Sequence, residues 1–310
     1  MLANFFEKTK PINIIVLSLV FFVYYFLHLY LLKNNGITQT SWTSIYLGLC
    51  INIIFLTMNT LNFKKNNVSN DNLHNTFILV LLYGLFPKAF MSVNVLLISL
   101  LFLLIYKSIA QFKPKLKNQR SLFNAGIFSG IAFILYDWSI LFLVYILIGV
   151  LLSQKLNLKN IISPIFGFFT PIFLYFTYLF VLDKEIWFLH KLFTIPYYSF
   201  STYPTNVKYA IFVTLTIVSI SILSVLPQIL SVSGQNRYQY AVAILTLITG
   251  FTVAMLKTHK NGSEFLLIFT PASIVIGRFI KTISHKKLKE ILFLGITICS
   301  ILFLVINSKQ

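Results

Sequence analysis

Residues 76–110 read TFILVLLYGLFPKAFMSVNVLLISLLFLLIYKSIA. The run carries Lys88 and Lys107 and no acid. As one helix it would be ~52 Å long at 1.5 Å per residue, against a hydrocarbon core of ~30 Å. Pro87 falls near the middle, where a proline removes a backbone donor and clashes with the preceding turn. The stretch therefore reads as two membrane spans joined by a tight turn at Pro87-Lys88. Residues 122–153 pose the same problem, and there Tyr136-Asp137-Trp138 interrupts the apolar run. They read as a second pair, short for the bilayer unless the turn is recessed.

Outward from these pairs, apolar runs at 11–32, 42–59, 161–182, 209–231, 240–256, 265–280 and 291–306 each approach the ~20 residues of a helical crossing. The expectation is an all-α polytopic bundle of about eleven spans, one integral membrane domain over 1–310. Residues 1–10 form a short interfacial foot with Phe5 and Phe6. Residues 183–206 form the longest outward loop, rich in aromatics. Composition agrees: 57% of residues are hydrophobic and only 10% charged, where soluble domains carry about 25% charged residues. So little charge cannot cover a water-exposed surface.

The formal net charge of +18 belongs to membrane orientation rather than nucleic acid. Lysine and arginine accumulate in cytoplasmic segments, and no soluble basic domain is left to hold a polynucleotide. With the N-terminus inside, Lys64, Lys65, Lys113, Lys115, Lys117, Arg120, Lys281, Lys286, Lys287 and Lys289 fall inward. An odd number of crossings puts the C-terminus outward. Asp137, Asp183, Glu185 and Glu264 then all face outward, four of the seven acids. The 2 cysteines, Cys50 and Cys299, sit in apolar runs with no ligand spacing. No cofactor is expected, and nothing supports a divalent cation at the outward acids.

Three places carry candidate chemistry. Asp137 stands inside a membrane hairpin between two aromatics, where a carboxylate is costly and functional by default; the plain alternative is a turn residue at headgroup level. Lys257-Thr258-His259-Lys260-Asn261-Gly262-Ser263-Glu264 packs bases, an imidazole and a carboxylate into one tight turn. Lys257, His259 and Lys260 suit a phosphate and Glu264 a proton; the alternative is a solvated turn with Glu264 at a helix start. The 183–206 loop offers Trp187 and Tyr197 faces for a sugar, with His190 and Lys191 for a phosphate. The alternative there is an aromatic belt at the interface. Gly126 and Gly130 form a small-residue packing face. His28, near the outer end of the first span, reads as a cap, though it could join an outward site.

The opening Asn4-Phe5-Phe6-Glu7-Lys8-Thr9-Lys10-Pro11-Ile12-Asn13, with the hydropathy that follows, resembles a bacterial inner-membrane family of unknown function. The many short spans, the outward aromatic loop and the Glu264-Phe265-Leu266-Leu267 start of a late span look like the membrane core of GT-C glycosyltransferases. That second resemblance implies an outward carboxylate acting as base, here Asp137 or Glu264. It also implies cations on the phosphate of a polyprenyl-linked sugar donor. The chain departs from that pattern, because residues 33–41 hold no acid where the fold carries one; Asp137 would have to substitute. The expected function is handling of a lipid-linked envelope glycan in a bacterial inner membrane, with membrane lipids and a membrane-protein partner around it. A non-catalytic subunit of an envelope complex, or a transporter, are the alternatives.

Overall fold

A computed structural model describes residues 5–6, 11–34, 42–65, 73–112, 119–153, 157–182, 202–231, 234–257, 260–283 and 285–307. Every described element is helical, with no strand among these residues. The helices are α1 (Pro11–Asn34), α2 (Trp42–Lys65), α3 (His74–Leu85), α4 (Val93–Ala110), α5 (Gln119–Leu135), α6 (Leu141–Leu152), α7 (Leu158–Val181), α8 (Thr205–Ser231), α9 (Gln235–Leu256), α10 (Leu266–Thr282) and α11 (Lys286–Asn307).

Each apolar run of the sequence is thus a helix, but not each is a span. Among the described residues eight segments are long and apolar enough to cross a membrane, where about eleven spans were expected. The helices that fall short are α3 and α6, 12 residues each, and α5, 17 residues. A 12-residue helix rises only ~18 Å. Both expected breaks are present, as 3-10 turns at Pro87–Phe90 and Asp137–Ile140. Phe86 and Tyr136 precede them with non-helical backbone, at φ −127° and −157°.

The chain folds into two compact units. Unit one comprises Met1–Leu96, Ser199–Arg237 and Lys260–Gln310. Its centre is α3, buried at every position from His74 to Leu85 and surrounded by α1, α2, α10 and α11. An all-round apolar helix has no solvent face, and here protein rather than lipid covers it. Aromatic rings fill the space at the Leu85 end. Tyr83 stacks on Phe90 at 4.8 Å and meets Phe269 edge-on at 5.1 Å. At the His74 end Phe6 stacks on Phe77 at 4.5 Å, so this part of the expected interfacial foot is buried core. Polar clamps fix α11 to α3. Ser300 Oγ donates to the Leu81 carbonyl at 2.9 Å, and Asn307 Nδ2 donates to the Leu85 carbonyl at 3.0 Å.

Unit two comprises Leu97–Tyr198 and Tyr238–His259. Its tightest pairing joins α5 to α7 through glycines. A Cβ on Gly126 would run into the Pro164 carbonyl, one on Gly130 into the Phe168 carbonyl, and one on Gly167 into the Phe123 carbonyl. Backbones approach this closely only without side chains between them, as the small-residue face predicts. Phe102 stacks on Phe142 at 4.3 Å. Tyr238 donates its hydroxyl to the Ile109 and Gly149 carbonyls, each at 3.1 Å.

Candidate functional site

At the Leu85 end of unit one, two 3-10 turns pack together, Pro87–Phe90 and Ser263–Phe265. Local chemistry dictates the second. Asn261 Oδ1 accepts from the Ser263 backbone N–H at 3.2 Å and from its hydroxyl at 2.7 Å, the side-chain turn that an Asn-Gly pair favours. Gly262 sits at φ +90°, and an added Cβ would press on Val207 at 3.0 Å. Phe86 stacks on Phe265 at 5.0 Å and 11°. This stack seals the turns against the core.

The consequence is a carboxylate driven inside. Glu264 is 0% exposed. A buried ionised carboxylate is costly unless charge and polar groups meet it, and two groups stand within electrostatic reach of it. The Tyr203 phenol lies within electrostatic reach of Glu264. Burial first, and the carboxylate second, hold that phenol far above its usual range, so it stays a donor. The Lys260 ammonium lies 5.4 Å from the centre of the Tyr203 ring, within cation–π range. Burial lowers the Lys260 ammonium below its ordinary 10.5, while the attraction of Glu264 opposes the shift.

Lys88 adds a second half-buried cation. With Asn261, Asn307, Phe86, Pro87 and Val207 it lines a cleft of about 10 Å³, room for roughly one water. His28 is 1% exposed, lies within electrostatic reach of Lys88, and packs on Phe90 at 5.9 Å. This histidine is part of the cluster's floor rather than a helix cap.

Of the residues expected from sequence, Glu264 and Lys260 therefore come together. Lys257 lies in unit two, where its backbone N–H closes the end of α9 on the Ala254 carbonyl at 3.4 Å. Asp137 also belongs to unit two, half-buried as the first residue of its 3-10 turn. His259, Lys191, His190, Trp187 and Tyr197 lie outside the described residues. Lys88 was missed as a site residue because Pro87 explained the break by itself. Its signal was available: a cation inside a long apolar run is a functional flag in its own right.

Buried helical cores, spans of membrane length and charge gathered at helix ends define a multi-pass helical membrane protein. More particularly, a family of unknown function (DUF6427) matches residues 1–309, and the chain belongs to it. Comparison with curated proteins and with solved structures finds no match.

Proposed function

We propose that the Glu264 cluster receives the phosphate of a lipid-linked sugar on the outward side of a bacterial inner membrane, in a GT-C-like transfer. One observation carries this reading: the half-exposed Lys260 lies within electrostatic reach of the enclosed Glu264, on a turn packed against the one that bears the half-exposed Lys88, at one end of a membrane helix cluster. The ammoniums would meet the anionic phosphate. Glu264 would accept the proton of the acceptor hydroxyl as its oxygen bonds to the anomeric carbon. The bond from that carbon to the phosphate oxygen breaks, and the lipid phosphate leaves with the electron pair. Because Tyr203 and Phe265 enclose Glu264, substrate access requires Tyr203 to swing aside. Asp137 is the alternative base.

The tightness of the cleft favours a second reading, a non-catalytic subunit in which Glu264 only fixes Lys260 and Tyr203. Complementation of a deletion strain separates the two. Glu264→Gln, at normal membrane abundance, should lower glycan transfer ~100-fold or more, the scale of a lost general base, with the lipid-linked donor accumulating. Lys88→Gln should weaken donor binding. Full complementation by Glu264→Gln and Asp137→Asn together ends the catalytic reading, and a copurifying membrane protein would then support the subunit.

A further inference from the structure

The other end of unit one carries a different feature. Between α8, α10 and α11 lies an open groove of about 350 Å³, the size of a small-molecule site. Ile217, Ile220, Ile276, Ile280, Ile291 and Gly295 are among its walls, which are almost wholly apolar. Ile220 is 55% and Ile291 64% exposed, so the groove opens sideways toward the bilayer. Gly295 forms part of the wall, and a Cβ there would meet no atom within 4 Å. The groove is therefore true empty space rather than a seam between packed side chains.

A basic rim stands over one end of this groove. Ile280 directly precedes Lys281, in the last turn of α10. Ile291 lies one helical turn beyond Lys287, ~6 Å along α11. Lys286 and Lys287 are exposed, as is His285; Arg278, Lys281 and Lys289 add charge nearby, and Glu290 is the one acid of this stretch. A lipid has this same layout, with an anionic headgroup one helical turn above its first methylenes. A bare apolar groove would suit any membrane helix. The cations placed at its mouth select a ligand with one charged end and one apolar tail.

We infer that the groove between α8, α10 and α11 seats an acyl chain of an anionic phospholipid whose headgroup phosphate rests on Lys287. The inference is independent of the Glu264 cluster, which lies at the opposite end of α10. Each lysine near an anionic surface contributes about 1 kcal/mol, a factor of about five. The headgroup preference is thus set by the rim, and the residence of the chain by the groove.

The test uses the full-length protein, carried through detergent with phosphatidylglycerol or phosphatidylcholine and weighed by native mass spectrometry. The wild type should retain one phosphatidylglycerol in preference to phosphatidylcholine. Lys287→Gln should reduce that preference by about fivefold and leave phosphatidylcholine retention unchanged. Gly295→Phe points into open space, so it should fold normally and lose retention of both lipids. Equal retention of the two lipids by the wild type overturns the inference, as does unchanged retention in Gly295→Phe. A disulfide-linked dimer of Gly295→Cys in native membranes would also overturn it, by assigning the groove to a second copy of the chain.

Discussion

Glu264 shows what one charged side chain imposes on its surroundings. It is wholly buried, so Tyr203 and Lys260 are tuned by it. Lys260 binds its proton less tightly than a free lysine, because burial outweighs the nearby carboxylate. In the window between its lowered value and 10.5 the unfolded chain holds the proton more firmly, so this group makes stability rise with pH. Glu264→Gln removes the opposing attraction and should move Lys260 further down. Competitive acylation followed by peptide mapping should then show Lys260 reacting at lower pH in the variant, and an unmoved profile would separate the two groups. Tyr203 has the opposite sign. Its raised value contributes stability that is complete below the ordinary 10.0 and is lost as pH climbs toward the folded value. Sequence reading found Glu264 and Lys260 because seven polar residues within eight positions of an apolar chain are conspicuous. Tyr203 and His28 were visible only as members of an aromatic loop and a helix end, since their roles depend on which distant rings they meet.

Helices were legible in the sequence and their lengths were not. Apolar composition marks α3 and α10 alike, yet α3 is a short rod enclosed by protein, while α10 with its leading 3-10 turn (Ser263–Thr282) is long enough to span. Lipid and protein interior are equally apolar, so hydropathy cannot distinguish them. What separates them is neighbours, which the local sequence does not state. The α5–α7 pairing was legible for the converse reason, because glycines four residues apart have few other uses in a membrane helix. That pairing yields a direct expectation. Gly126→Ala places a methyl against the Pro164 carbonyl and should destabilise by about 1–3 kcal/mol, the usual range for overpacking. Gly295→Ala, in open space, should be neutral or slightly stabilising through helix propensity. Thermal unfolding of both variants in the same detergent checks the contrast, and equal midpoints would contradict close packing of α5 on α7.

For the molecule as a whole, unit one assembles three separated stretches of chain, an interleaving no local motif announces. It nevertheless gathers the Pro87–Phe90 turn, the Ser263–Phe265 turn and Asn307 at one end of its helices. The bases assigned that end outward, leaving Lys286 and Lys287 inward. Cysteines replacing Lys260 and Lys287 should therefore label from opposite sides: Lys260→Cys with an impermeant maleimide on intact cells, Lys287→Cys only after permeabilisation. The reverse pattern would invert the topology. His28 packs under Phe90, while α1 continues to Lys33 in its last turn, ~8 Å further along the axis. In the proposed outward orientation the cluster would sit inside the dielectric slab, with part of the membrane voltage falling above it. Across ~30 Å a full crossing weighs about 2.3 kcal/mol per charge per 100 mV. An anion settling here from outside moves against roughly a quarter of that, about 0.6 kcal/mol. Respiratory energisation would thin its occupancy by about threefold and make the recess a weak voltmeter.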